Sequence, residues 1–230
     1  VEAVLAGHSA ARVLLVGERH RKPASHAFFA RLAEALADRG ERILVALEVP
    51  WDREADLEAA LGGAQSPPFP VIDGPSYRDL LARLGGLRDR GITVAAVDAA
   101  ARDAESRDAA MARRLENALA SGRYDRVLAL VGNLHALKSI PWTAQGGSGS
   151  RDKLGVLLSA QFPGVASVLQ WFPEGCGEAM VPRFHGADDP PAVSAVEGLW
   201  NLLHTQPPEP GSAAQAADAV VVWECASADS

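Results

Sequence analysis

The sequence is short of cysteine, of positive charge and of long apolar runs, and each shortage removes a class of function. Cys176 and Cys225 are the only cysteines in 230 residues, and neither sits in a C-x-x-C or Cys/His ligand spacing, which argues against a structural zinc site. Each follows a late strand candidate by a few residues, so a disulfide between them is geometrically open, as is a pair of separate thiols. A bond would imply an oxidising compartment. Lys and Arg total 22 against 29 Asp and Glu, a formal charge of -7. No basic excess is available to coat phosphates, so a nucleic-acid partner is not expected. The apolar runs Val13 to Val16, Ile43 to Leu47 and Val127 to Val131 fall far short of the roughly 18 to 20 residues that span a bilayer, so no transmembrane segment is expected. The sequence opens on Val1 rather than Met, which leaves an earlier export signal or lipid anchor open. A serine nucleophile lacks its G-x-S-x-G elbow, and neither G-x-G-x-x-G nor G-x-x-x-x-G-K-[ST] is present to hold a nucleotide.

What the chain does contain is enough apolar material for a core: 48% of its residues are hydrophobic and 22% charged, and a single domain over residues 1–230 is expected. Short β-branched and Leu-rich runs alternate with stretches of helical period, the pattern of βα units around a mostly parallel sheet. Strands are predicted near Val13 to Val16, Ile43 to Leu47, Thr93 to Val97, Val127 to Val131, Ala166 to Leu169 and Ala219 to Trp223. From Ala24 to Arg39 the residues Phe28, Phe29, Leu32 and Leu36 share one face, which predicts a helix covering the sheet. Further helices are predicted over Ser76 to Arg90, Ser106 to Ser121 and Ala192 to Leu203, with Gly40, Gly91 and Gly122 as C-terminal glycines. Gly62 to Pro75, with four prolines and three glycines, reads as an irregular loop able to flank a substrate entrance. Gln145 to Ser150 and Thr205 to Ser212 read as mobile or extended connections.

In an open parallel sheet, ligands bind outside the carboxyl ends of the strands. The first strand runs into Gly17-Glu18-Arg19-His20, the second ends at Glu48, the third at Asp98, and the fourth runs into Gly132-Asn133-Leu134-His135. One G-x-x-H is weak, since chance supplies on the order of half an occurrence in this composition; two that each follow a buried-type strand, with a carboxylate ending a third, carry more. Two imidazoles and two carboxylates in one crevice can bind a divalent metal with an open position, or act as general base and acid on water. For Asp98 a turn or N-cap role is an equal alternative. Arg19, Arg21 and Lys22 would suit an anionic substrate, although a solvated loop explains such a run as well.

Taken in order, Gly17-Glu18-x-His20, a strand ending in Leu47-Glu48, Arg107-Asp108-x-x-Met111 on a helix and Gly132-x-x-His135 resemble the Tiki/TraB, ChaN and erythromycin-esterase superfamily. The likeness runs from about Val13 to Ala136, and the run from Gly17 through His26 is most similar to ChaN. The resemblance implies a three-layer α/β domain, a mostly parallel central sheet with helices on both faces. It implies Glu18, His20, Glu48 and His135 as working residues, with His26, Arg107 and Asp108 at the binding site and Asp108 orienting a histidine. Two activities are implied by its branches: metal-dependent hydrolysis, with His20 and His135 as ligands, or haem binding for iron uptake, in which only Tyr77 and Tyr124 could supply a tyrosine ligand. The ChaN branch would place the protein in the periplasm or on the outer membrane as a lipoprotein whose signal is removed. The expected activity is cleavage of an ester or amide in a small molecule or peptide, by water activated on paired His and Glu, with haem binding without catalysis as the alternative.

Overall fold

The computed structural model describes residues 1–69, 71–140, 152–176, 179–203 and 213–226. The strands are β1 (Val13–Glu18), β2 (Ile43–Pro50), β3 (Ile92–Asp98), β4 (Arg126–Gly132), β5 (Val165–Trp171), β6 (Met180–Gly186) and β7 (Ala219–Cys225). The helices are α1 (Glu2–Gly7), α2 (Pro23–Asp38), α3 (Glu54–Leu61), α4 (Pro75–Gly85), α5 (Arg107–Ala120), α6 (Asn133–Ala136), α7 (Leu154–Gln161), α8 (Pro190–Leu202) and α9 (Ala213–Ala216), with 3-10 turns at Trp51–Arg53 and Arg88–Arg90. The seven strands form one sheet in the order β3-β2-β4-β1-β5-β7-β6. Every neighbouring pair is parallel except β6 with β7.

Alternation along the strands divides the core into two layers, because successive side chains point to opposite faces. Leu14, Val16, Val45 and Leu47 face α2, α3 and α4 through Phe28, Leu57 and Leu80. Leu15, Ala46, Val127 and Ala129 face α5, α7 and α8 through Met111, Leu158 and Trp200. The result is the three-layer α/β arrangement expected from the sequence. Pro23 and Pro75 open α2 and α4 at a position where no amide donor is missed. Gly40, Gly91 and Gly122 follow helical segments with φ of 72°, 87° and 65°, the left-handed turn that glycine takes without strain.

All six predicted strands fall inside observed ones, and β6 is the strand that the sequence hides. It is an edge strand, exposed over most of its length, with Pro182 inside it. An edge position tolerates proline and removes the burial pattern by which strands are read. Cys176 and Cys225 are joined by a disulfide, with Cα atoms 5.4 Å apart, tying the turn after β5 to the end of β7. Both Gln145 to Ser150 and Thr205 to Ser212 lie outside the described residues.

The helix after β1 packs on one face of the sheet and the short α6 after β4 on the other, although β1 and β4 are neighbours. Chains leaving adjacent strands toward opposite faces open a crevice at their carboxyl ends. Among the described residues no helix is long and apolar enough to cross a membrane.

Candidate functional site

The crevice is set by how closely β1 and β4 approach. β1 does not stop before the first motif: Gly17 and Glu18 continue the strand and pair with Val131 and Gly132. Gly17 therefore serves close approach rather than a turn, because a Cβ there would collide with Asn133 Oδ1. Asn133 fastens the start of α6 to β5, donating from Nδ2 to the Gln170 carbonyl at 2.7 Å and accepting the Gln170 amide at 3.1 Å. The Gln170 side chain in turn donates to the Gly17 carbonyl at 3.0 Å and to Ser25 Oγ at 2.7 Å. These buried groups were not picked out as functional. Asn133 stands inside the second motif, and Gln170 is a lone amide in an otherwise apolar strand, which is the signal that would have found it.

This frame holds two carboxylate–imidazole pairs. Glu18, buried at the end of β1, has Oε1 2.9 Å from His20 Nδ1 and Oε2 3.1 Å from His26 Nε2. Burial pushes the Glu18 carboxyl up, but the close contacts and charges of the two imidazoles outweigh it and hold the group below the ordinary carboxylate range. The Glu18 hydrogen bond raises the His20 pKa above that of a free imidazole, against the opposing effect of burial. Asp108, in the first turn of α5 behind the N-cap Ser106, has Oδ1 2.7 Å from His135 Nδ1 and accepts the Leu154 amide at 2.7 Å. Asp108 thus contacts His135 at the nitrogen where an orienting acceptor would sit, and its place in the first helical turn suits an acid as well.

Glu48 and Asp98 are bridged by Arg107. The guanidinium reaches Glu48 Oε1 at 2.6 Å and both oxygens of Asp98 at 2.6 and 2.8 Å, while Glu48 Oε2 accepts the Gly132 amide at 2.6 Å. The Asp98 hydrogen bond leads the causes that raise the Arg107 pKa further, so its charge is permanent. His135 Nε2 stands 3.6 Å from Glu48 Oε1, beyond hydrogen-bond length. His26 is buried against Ser76 Oγ at 2.9 Å and the Tyr77 ring, and it lines neither of the cavities at this sheet edge. Its contact is with Glu18.

Both His20 and His135 line two adjoining cavities. One, of about 520 Å³, is walled by Leu134, Trp171, Phe172, Leu199 and Leu202, with Arg19 and Glu174 also on it. The other, of about 270 Å³, is lined by Glu48, Asp98, Arg107, Pro50, Val71 and Ile72. The proline-rich loop flanks this polar chamber through Val71 and Ile72. A Cβ on Gly132 would lie 3.5 Å from both the His20 and the His135 rings, so the glycine sits between the two imidazoles.

The donor set fits a divalent metal poorly. Among the described residues no group of three or more His, Cys, Asp or Glu is arranged to hold one. Glu48 has both oxygens bonded, Glu18 has Oε1 on His20 and Oε2 3.1 Å from His26 Nε2 outside hydrogen-bond geometry, and the Arg107 cation occupies the space between Glu48 and Asp98. A metal would have only two imidazole Nε2 atoms to rely on, fewer than the three protein ligands usual at a catalytic zinc. Haem asks for an axial donor beside an apolar wall, and the larger cavity offers both histidines next to Trp171, Phe172 and Leu199. Tyr77 and Tyr124 line neither cavity.

No protein-family model and no curated sequence matches the chain. Solved structures do match. A variant of the erythromycin esterase EreC in its open conformation covers 96% of this chain and 92% of its own, with a TM-score of 0.65 at 12% identity. A Bacillus cereus protein covers 96% and 90% with a TM-score of 0.58 at 10% identity. ChaN of Campylobacter jejuni, solved to describe cofacial haem binding, covers 97% and 91% with a TM-score of 0.50 at 11% identity. At such identities the likeness is one of fold. The chain has the α/β fold shared by the erythromycin esterase and ChaN, as the order of its Gly17 to His20 and Gly132 to His135 motifs anticipated.

Proposed function

We propose that the protein is a hydrolase of an ester or amide bond, in which two carboxylate-held imidazoles activate water without a metal ion. The observation that carries this reading is the pair Glu18–His20 and Asp108–His135, at 2.9 and 2.7 Å through Nδ1, on one crevice. A carboxylate on Nδ1 fixes the tautomer and leaves Nε2 for proton transfer, the division of labour seen wherever His acts as base and then acid. In this mechanism His135 Nε2 takes a proton from water, and Asp108 stabilises the imidazolium. The water oxygen adds to the carbonyl carbon, and the carbonyl electron pair moves to its oxygen. The oxyanion pair then re-forms the carbonyl as the bond to the leaving oxygen or nitrogen breaks, and His20, whose charged form Glu18 favours, gives its Nε2 proton to that leaving atom. Glu18 and Glu48 act through their partners: Glu18 sets His20, and Glu48 holds Gly132 and Arg107 beside His135.

Turnover of a panel of p-nitrophenyl esters and aminoacyl p-nitroanilides tests the reading. His20→Ala and His135→Ala are each expected to lose about 10²- to 10⁴-fold in kcat/KM. Retained turnover in both variants would contradict it.

Haem binding without catalysis is the second reading, favoured by the apolar wall beside the two histidines. A Soret band on titration that disappears with His20→Ala or His135→Ala, in a protein inert toward the panel, would select it. The disulfide suits an oxidising compartment, which agrees with a periplasmic or surface location under either reading.

A further inference from the structure

Arg19, Arg21 and Lys22 form the segment that follows Glu18 around the mouth of the crevice, and they differ from most other cations of this acidic chain. Most of the others sit against carboxylates, as with Arg42 on Asp125, Arg83 on Glu34, Arg126 on Glu41 and Lys138 on Asp218, while Arg102 and Arg123 lie over aromatic rings instead. Among the described residues Arg19, Arg21 and Lys22 have no carboxylate partner. Arg21 Nε donates to the Val71 carbonyl at 3.0 Å, which turns it toward the polar chamber's rim. Arg19 lines the larger cavity, and Lys22 Nζ stands 5.8 Å from the centroid of the Phe172 ring, part of that cavity's wall. A carboxylate elsewhere on the chain would gain by approaching these cations, yet none does. Among the described residues Glu174 is the one free acid on the cavity, and Glu18 faces two imidazoles.

We infer that the larger cavity takes an amphipathic anion: an apolar chain or ring lying against Trp171, Phe172 and Leu199, with an acidic group held at the mouth by Arg19 and Lys22. Apolar contact supplies most of the affinity, since burial of hydrocarbon is non-directional and scales with area, while the cations select charge and orientation. The acid group would fix which end of the molecule enters first, and so which bond reaches His20 and His135. This inference rests on reading the crevice as the substrate site and adds the charge of the substrate.

Calorimetric titration of the full chain with octanoate and with octanol, the neutral molecule of the same chain length, tests it without calling on hydrolysis. Octanoate is expected to bind about tenfold more tightly than octanol, the worth of one well-placed charge contact, and to weaken at high salt as screening requires. The double variant Arg19→Gln/Lys22→Gln should lose that preference with its circular dichroism and Tm retained, because Arg19 is exposed, Lys22 only half-buried, and among the described residues neither bonds a carboxylate. Glu174→Gln should tighten octanoate, the opposite sign. Equal affinity for the two probes, a preference that survives in the double variant, or no binding of either probe would overturn the inference. Octanoate preference in a protein that hydrolyses nothing on the ester panel would sink the hydrolase reading and leave this one standing.

Discussion

Gly17 contributes by lacking a side chain. Any Cβ at this position falls within the radius of Asn133 Oδ1, and Asn133 cannot retreat without releasing both of its bonds to Gln170. Gly17→Ala should therefore cost about 1–3 kcal/mol, the usual scale of overpacking, measured as a shift in urea midpoint at unchanged m-value. Glu18 and His20 set a pH window. The Glu18 pKa is lowered on folding, so its stabilisation is fully present above the unfolded value of 4.5 and fades as pH falls through the folded one. The His20 pKa is raised, so its stabilisation is fully present below the unfolded value of 6.5 and fades as pH rises through the folded one. Both contributions are complete only between those values. The destabilisation caused by Glu18→Gln should be greatest in urea melts between pH 4.5 and 6.5 and shrink on either side; a penalty independent of pH would mean that the pair is not ionic.

At the level of elements, α7 acts on the site through its first residues. Gly155 lies so close to α6 that an added Cβ would be 2.5 Å from the carbonyl oxygens of Ala136 and Leu137, and Leu154 next to it donates its amide to Asp108. Gly155→Ala should push α7 outward, remove a hydrogen bond from Asp108 and lower both Tm and turnover, whereas Gly62→Ala, in ordinary contact with its neighbours, should leave turnover alone. The disulfide spans 49 residues, a separation for which chain entropy gives about 4 kcal/mol. Cys176→Ser with Cys225→Ser should lower the unfolding free energy by about that amount. The elements legible in the sequence were those whose burial repeats: the apolar β1, β2 and β4, and α2 and α5 with their one-sided faces. Their ends delivered Glu18, Glu48 and His135 to one edge, so the centre of the candidate site was legible too. Three features were not. The edge strand β6 has no buried period, α7 has apolar residues all around, and the place of the Arg107 guanidinium between Glu48 and Asp98 has no local signal. Arg107 stands 59 residues from Glu48 in the sequence, so no local pattern shows their contact.

Across the whole molecule, the sheet edge brings together a polar chamber rich in fixed charge and an apolar cavity, with His20 and His135 between them. Such a division suits a bond cleaved at the boundary of two unlike groups, one solvated by Arg107 and its carboxylates, the other held by Trp171 and Leu199. The fold alone does not choose this chemistry, since an esterase and a haem-binding protein share it; the proposal rests instead on how the carboxylates are engaged. The most direct test is the pH dependence of kcat/KM for ester hydrolysis by protein stripped of metal with a chelator. Full activity after stripping is predicted, with a bell-shaped profile whose alkaline limb lies above the ordinary imidazole value of 6.5 and moves to lower pH in Glu18→Gln. Activity that vanishes on stripping and returns with an added divalent metal, or a limb that Glu18→Gln leaves in place, would contradict it.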